Sequence, residues 1–102
     1  MVDRLTIHER LCKVLGTNHV YFQPPSSVQL RYPCILYSLH RYEFAPADNT
    51  RYLEHVAYDL IVIDKNPDSK IPMNLIKEFR TCSFDRAYQA DNLNHFALSL
   101  TI

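Results

Sequence analysis

The strongest constraint on the fold is the alternation of apolar and polar side chains between Cys82 and Ile102. Along the first stretch the even positions Cys82, Phe84, Tyr88 and Ala90 are mainly apolar, while Ser83, Asp85, Gln89 and Asp91 are polar. From Asn94 onward Phe96, Leu98, Leu100 and Ile102 alternate with His95, Ser99 and Thr101. Successive side chains of a strand point to opposite faces, so the pattern predicts two half-buried strands joined around Asp91-Asn92-Leu93. It places Phe84, Tyr88, Phe96, Leu98 and Leu100 on a sheet face beneath helices. Such a closing strand has to be paired within the sheet or covered by a neighbour, because an open apolar edge recruits other chains. The alternation reaches Ile102, so the strand is expected to be completed by assembly or by further residues.

The same period recurs upstream. Ile35, Tyr37 and Leu39 share one face of a strand over 34–45, with Leu36, Ser38 and His40 opposite. Val56, Tyr58, Leu60 and Val62 share a face over 51–64, with His55, Ala57 and Asp59 opposite. The turn residues Pro46-Ala-Asp-Asn-Thr50 between them predict a long antiparallel hairpin projecting from the domain. Val20-Tyr21-Phe22 reads as a short strand, followed by a loop that the paired prolines Pro24 and Pro25 keep out of helix and ladder.

Helical spacing appears twice. Leu5, Ile7, His8, Leu11, Cys12, Val14 and Leu15 form a stripe between an N-cap at Asp3 and a stop at Gly16. Pro72 suits a helix start, and Met73, Leu75, Ile76 and Phe79 follow it on a short second helix. The expectation is an α+β domain over 1–102, in the order α-β-β-β-α-β-β, with a mostly antiparallel sheet and both helices packed on one face.

A chain of 102 residues suits one domain and can bury a core without metal or disulfide support. No apolar run approaches the ~20 residues that cross a bilayer, and the polar opening lacks a secretory apolar region, so a soluble protein is expected. Eleven basic residues balance eleven acidic ones, without a basic stripe, which argues against direct binding of DNA. Cys12, Cys34 and Cys82, widely separated within apolar patterns, read as reduced packing thiols.

Chemistry-bearing patterns are sparse. With Gly16 the sole glycine, no Gly-rich phosphate loop can be built. Asp64-Lys-Asn-Pro-Asp68 starts like a calcium loop, but Ser69 stands where Gly is needed and Leu75 where a bidentate Glu is needed, so a solvated strand-to-helix loop is the better reading. His8 and Cys12 make half a metal site with nothing to complete it; a satisfied core histidine is the alternative. His40, His55, His95, Asp59 and Asp85 would be the raw material of an acid–base site, yet strand periodicity alone accounts for their placing. No catalytic residue, metal or cofactor is therefore assigned. Tyr21, Phe22, Tyr37, Tyr58, Phe84, Tyr88 and Phe96 fall on predicted core faces. Tyr42, Phe44 and Tyr52 flank the projecting turn, where they either anchor an interface or cover one another across the two strands.

Several segments taken in order resemble the small tail terminator proteins of long-tailed bacteriophages and prophages, also called tail completion or head–tail joining proteins. They are Val20-Tyr-Phe-Gln-Pro-Pro25, Tyr32-Pro-Cys-Ile-Leu-Tyr37, Tyr58 to Asp64 with Asn66-Pro-Asp-Ser-Lys-Ile71, and Cys82-Ser-Phe-Asp-Arg86 with Tyr88 and Ala90-Asp-Asn-Leu-Asn-His95. The likeness spans nearly the whole chain and lies in order and spacing, since no segment is a mechanistic motif. It implies a virion structural protein without enzyme activity or cofactor. Such proteins form a ring, typically a hexamer, on the head-proximal end of the tail tube, assembled in the host cytoplasm. There they end tube polymerisation and meet the neck, with DNA only passing through the lumen and no membrane partner. Expected contacts are other copies of the chain, the tail tube protein and neck or connector proteins. A closing head-to-tail ring needs two different patches. Candidate interface residues are Tyr42, Phe44, Asp48, Asn49, Arg51 and Tyr52 on the hairpin, with Gln29 and Arg31 on the loop after the first strand. The family pattern runs a few residues past the position of Ile102. Rival readings are another neck or connector ring protein, or a small cytosolic enzyme or ligand-binding domain.

Overall fold

A computed structural model describes residues 3–47 and 50–102. Its elements are α1 (Arg4–Leu15), β1 (Val20–Phe22), β2 (Cys34–Ala47), β3 (Thr50–Asp64), α2 (Ile71–Glu78), β4 (Cys82–Ala90) and β5 (Leu93–Thr101), the expected order. Helix α1 begins and ends at the predicted punctuation. The Asp3 carboxylate accepts the Thr6 backbone N–H at 2.9 Å. That bond also holds the Asp3 carboxyl below the usual carboxylate range. Gly16 takes φ of 84°, a left-handed conformation that costs glycine least, and returns its N–H to the Cys12 carbonyl at 2.8 Å. In α2, Pro72 occupies the first turn, where a missing N–H breaks no helical bond.

The strands form one sheet in the order β1-β2-β3-β5-β4, antiparallel except for β1 beside β2. The closing strand β5 is interior, bonded to β3 on one side and β4 on the other, and β4 forms the outer edge. Asp91 and Asn92 both adopt positive φ, 53° and 62°, in a two-residue turn closed by the pair Ala90 and Leu93. That geometry matches the strand twist, and Asp and Asn tolerate it.

Both helices pack on one face. Ile7 and Leu11 of α1, with Leu75 of α2 and Phe79 just after it, meet Ile35, Tyr37, Val56, Tyr58, Leu60, Val62, Leu98 and Leu100 of the sheet. Tyr37 lies at the centre, its ring 4.9 Å from that of Phe22 and 6.0 Å from that of Tyr58. Its hydroxyl is 3.2 Å from Arg4 Nη1 and 2.8 Å from His8 Nδ1. Arginine can only donate, so the Tyr37 oxygen accepts from Arg4, and the same hydroxyl partners His8 Nδ1 in a direction set by the imidazole tautomer, which makes His8 the satisfied histidine expected.

Several predicted core positions are not core. The register steps from Phe84 opposite Leu98 to Arg86 opposite Ala97, so Asp85 is an extra residue in a β-bulge and the facing of the strand reverses after it. Tyr88, expected beside Phe84, therefore lies on the helix-free face and stacks on its partner His95 at 4.9 Å. Phe84 keeps the helix-side face but is 47% exposed, because α2, only eight residues long, leaves it uncovered. Leu5 and Met73 are exposed on the outer sides of their helices. Tyr21, opposite Leu36, points away from the helices. Among the described residues no helix is long and apolar enough to cross a membrane.

Candidate functional site

Strands β2 and β3 are 14 and 15 residues long, and their neighbours do not follow them to the end. β1 pairs only with Ile35 to Tyr37, and on the other side the last bonds are those between Ile102 and Val56, both 2.9 Å. Beyond Leu39 and Val56 the two strands bond only to each other and form a two-stranded arm on a molecule 51 Å long.

The arm has two unlike faces. Tyr42 opposite Val56 and Phe44 opposite Leu53 continue the helix-side face, with ring centroids 6.2 Å apart. On the other face Arg41 stands opposite Ala57, Glu43 opposite His55 and Tyr52 opposite Ala45. Arg41 donates Nε and Nη2 to Glu43 Oε1 at 2.9 and 2.8 Å. None of Tyr42, Phe44 and Tyr52 faces another aromatic across the arm, so mutual cover between strands does not occur. They are 53%, 53% and 54% exposed. Asp48, Asn49 and the Arg51 side chain lie outside the described residues; the Arg51 backbone pairs with Pro46.

Gln29 and Arg31 are exposed on the loop over 23–33, which ends in a cis Tyr32–Pro33 peptide. The loop leads into Cys34, at the end of β2 remote from the arm. At about 3.3 Å per residue, Cys34 and Phe44 are roughly 30 Å apart. The structure thus gathers Tyr42, Phe44 and Tyr52 on the arm and does not bring Gln29 or Arg31 to them.

In the angle between arm and body is an open cleft of about 630 Å³, lined in part by Arg10, Glu43, His55, Phe79, Thr81 and Ile102. Of its two arginines, Arg10 is already engaged: it donates to Glu78 Oε1 at 3.1 Å and to the Glu78 carbonyl at 2.8 Å, and lies 4.3 Å above the Phe79 ring, while Arg80 also lines the cleft. A second groove, about 440 Å³, runs along the helix-free face past Ser38, Asp59, Ser83, Arg86, Tyr88 and Ser99. The histidines considered for acid–base chemistry are dispersed. His40 meets Asp59 at 3.1 Å in the open, His55 lies at the cleft, and His95 stacks on Tyr88. Burial pushes the Cys34 and Cys82 thiols up to about 11, away from reactivity. The Asp64 loop is tied by its own side chains, with Asp64 accepting from Asn66 N–H at 3.1 Å and Asn66 from Asp68 N–H at 2.9 Å.

No protein-family model matches this chain, and neither does any of the curated proteins compared with it. The geometry of the arm is therefore the principal guide to function. Sequence periodicity missed Leu39, Phe84 and Met73 as exposed apolar groups. The available signal is strand length, because the patterns over 34–45 and 51–64 outrun those of the strands beside them.

Proposed function

We propose that the protein is a ring-forming structural subunit of a long-tailed bacteriophage virion, of the tail terminator kind. Copies of the chain, about six in a closed cyclic ring, sit at the head-proximal end of the tail tube, end its polymerisation and present a surface to the neck. The observation that supports this best is the arm, a two-stranded projection whose aromatic face is half exposed among the described residues. Half-exposed aromatics on a regular element are the groups that anchor interfaces. The α+β fold with helices on one face is also what the resemblance implies. Balanced charge suits a wall past which DNA slides without sticking.

A connector ring elsewhere in the neck would use similar geometry, and gene order separates the two: a terminator is expected just before the major tail tube gene. A ligand-binding role draws on the cleft, whose volume is within the usual range for small-molecule sites. Mass measurement in solution tests the ring. The expected result is monomer passing to about six copies on concentration. A stable dimer built on one self-complementary patch would overturn the reading.

A further inference from the structure

We propose that the arm of one copy docks along the outer edge of β4 in the next copy, continuing the sheet from subunit to subunit and covering Phe84 with Tyr42 and Phe44. The inference rests on the ring reading for the number of copies and on the following geometry for the contact. The chain exposes two apolar patches on opposite flanks of its sheet. One is Leu39, Tyr42 and Phe44 on β2; the other is centred on Phe84 of β4, which α2 packs against but leaves half exposed. Two different patches on opposite flanks are what a closed head-to-tail contact requires.

The backbone supplies the second half of the match. β4 is nine residues long, pairs only with β5, and contains neither Lys nor Pro to blunt its edge. On β2 the last group shielded on the outer side is the Leu39 N–H, which donates to Gln23 Oε1 at 3.0 Å; from Arg41 onward β2 bonds only to β3. The open row of the arm runs from Arg41 to Ala45, ahead of Pro46, and fits within the nine-residue edge of β4; open rows of N–H and C=O groups are complementary. The faces agree as well. Each flank carries aromatics on the helix side, and on the helix-free side Arg86 of β4 would stand beside Glu43 of the arm. Among the described residues Arg86 has no carboxylate partner and lies 5.5 Å over the Tyr88 ring. Only one strand orientation aligns both faces, which makes the contact directional. Half-exposed aromatic groups bring roughly 100 Å² each, and the arm and β4 belong to different partners, so the named side chains give each partner a few hundred Å² against the ~800 Å² of a stable interface, and the contact is expected to form only at high concentration.

Cysteine cross-linking tests the contact. Phe44→Cys and Phe84→Cys are made separately and together on a Cys12→Ser background, which leaves only the buried Cys34 and Cys82. Under oxidation at high concentration each single variant is expected to stay uncross-linked, their mixture to give a dimer, and the double variant to give a ladder ending at the ring size. Dimers of Phe44→Cys alone would show an arm-to-arm contact and overturn the proposal. Rings without the mixed cross-link would overturn the docking and leave the ring reading standing; no oligomer at any concentration would overturn both. Amide exchange on the unaltered protein gives an independent readout. The β4 amides are expected to gain protection as concentration rises, and unchanged β4 exchange in assembled rings would reject the contact.

Discussion

Phe84 and Tyr88 stand four residues apart on β4 yet point to opposite sides of the sheet. An even spacing keeps two residues on one face of a regular strand, and the single extra residue Asp85 reverses that. Phe84 remains opposite the core residue Leu98, while Tyr88 joins His95 on the polar side.

Removing Asp85 should therefore be tolerated. Phe84, Arg86, Ala87 and Tyr88 already face Leu98, Ala97, Phe96 and His95 in unbroken succession, so the deletion regularises β4 without moving a side chain across the sheet. Its effect on unfolding free energy is expected to stay within about 1 kcal/mol. Deleting Ala97 from β5 is the contrast: it puts Leu98 and Leu100 out of phase with Phe96, and folding is expected to fail. Urea unfolding and circular dichroism of the two deletions check this; equal damage would refute the bulge as the reason for the facing.

Tyr37→Phe isolates the hydroxyl at the centre of the core. The ring contacts with Phe22 and Tyr58 survive, but Arg4 loses an acceptor and His8 Nδ1 its hydrogen-bond partner. The expected loss is ~1–2 kcal/mol. Tyr37→Ala, which also removes a fully packed ring, should cost ~3–5 kcal/mol. Urea midpoints separate the two, and a Phe variant as unstable as the Ala variant would mean that the hydroxyl dominates.

What the sequence made legible follows from what its periodicity encodes. Asp3 and Gly16 mark α1 because capping and left-handed backbone are local demands, and Asp91-Asn92 marks the final turn for the same reason. The faces of β2 and β3 near Tyr37 and Leu60 follow from alternation alone. Alternation cannot count a bulge, so it predicts the wrong face for Tyr88. It also shows which face is apolar, not how far a helix covers it. Hence Phe84, Met73 and Leu5 look like core and are exposed. The insertion of β5 between β3 and β4 depends on contacts distant in sequence, for which no local residue signal exists.

Alkaline titration should weaken the fold through two thiols. Burial raises Cys34 and Cys82 from 9.0 to about 11, with the Ile63 backbone bond opposing the shift at Cys34. The unfolded chain therefore loses these protons first, so their stabilising contribution is intact below pH 9.0 and disappears as pH rises through the folded value of about 11. The slope is ~1.4 kcal/mol per pH unit for each thiol. Burial also raises the phenols of Tyr37 and Tyr58, which steepens the upper part of the fall. Urea midpoints across this window measure it, with Cys34→Ala and Cys82→Ala each expected to flatten the slope whatever they do to absolute stability. A slope unchanged in both variants would assign the loss to other groups.

The arm offers the sharpest separation of folding from assembly. Phe44 and Tyr52 are 53% and 54% exposed, so Phe44→Ser and Tyr52→Ser should each change unfolding free energy by no more than about 0.5 kcal/mol. Val56, buried at the arm base opposite Tyr42, is the control: Val56→Ser should destabilise the monomer by ~2 kcal/mol. Phe44 shares the helix-side face with Tyr42, whereas Tyr52 lies on the charged face with Glu43. If the aromatic face carries the contact, Phe44→Ser lowers the assembled fraction in sedimentation velocity far more than Tyr52→Ser at equal concentration. Equal losses from both would mean that both faces are buried on assembly, and collapse of the Phe44→Ser monomer would place that ring in the core.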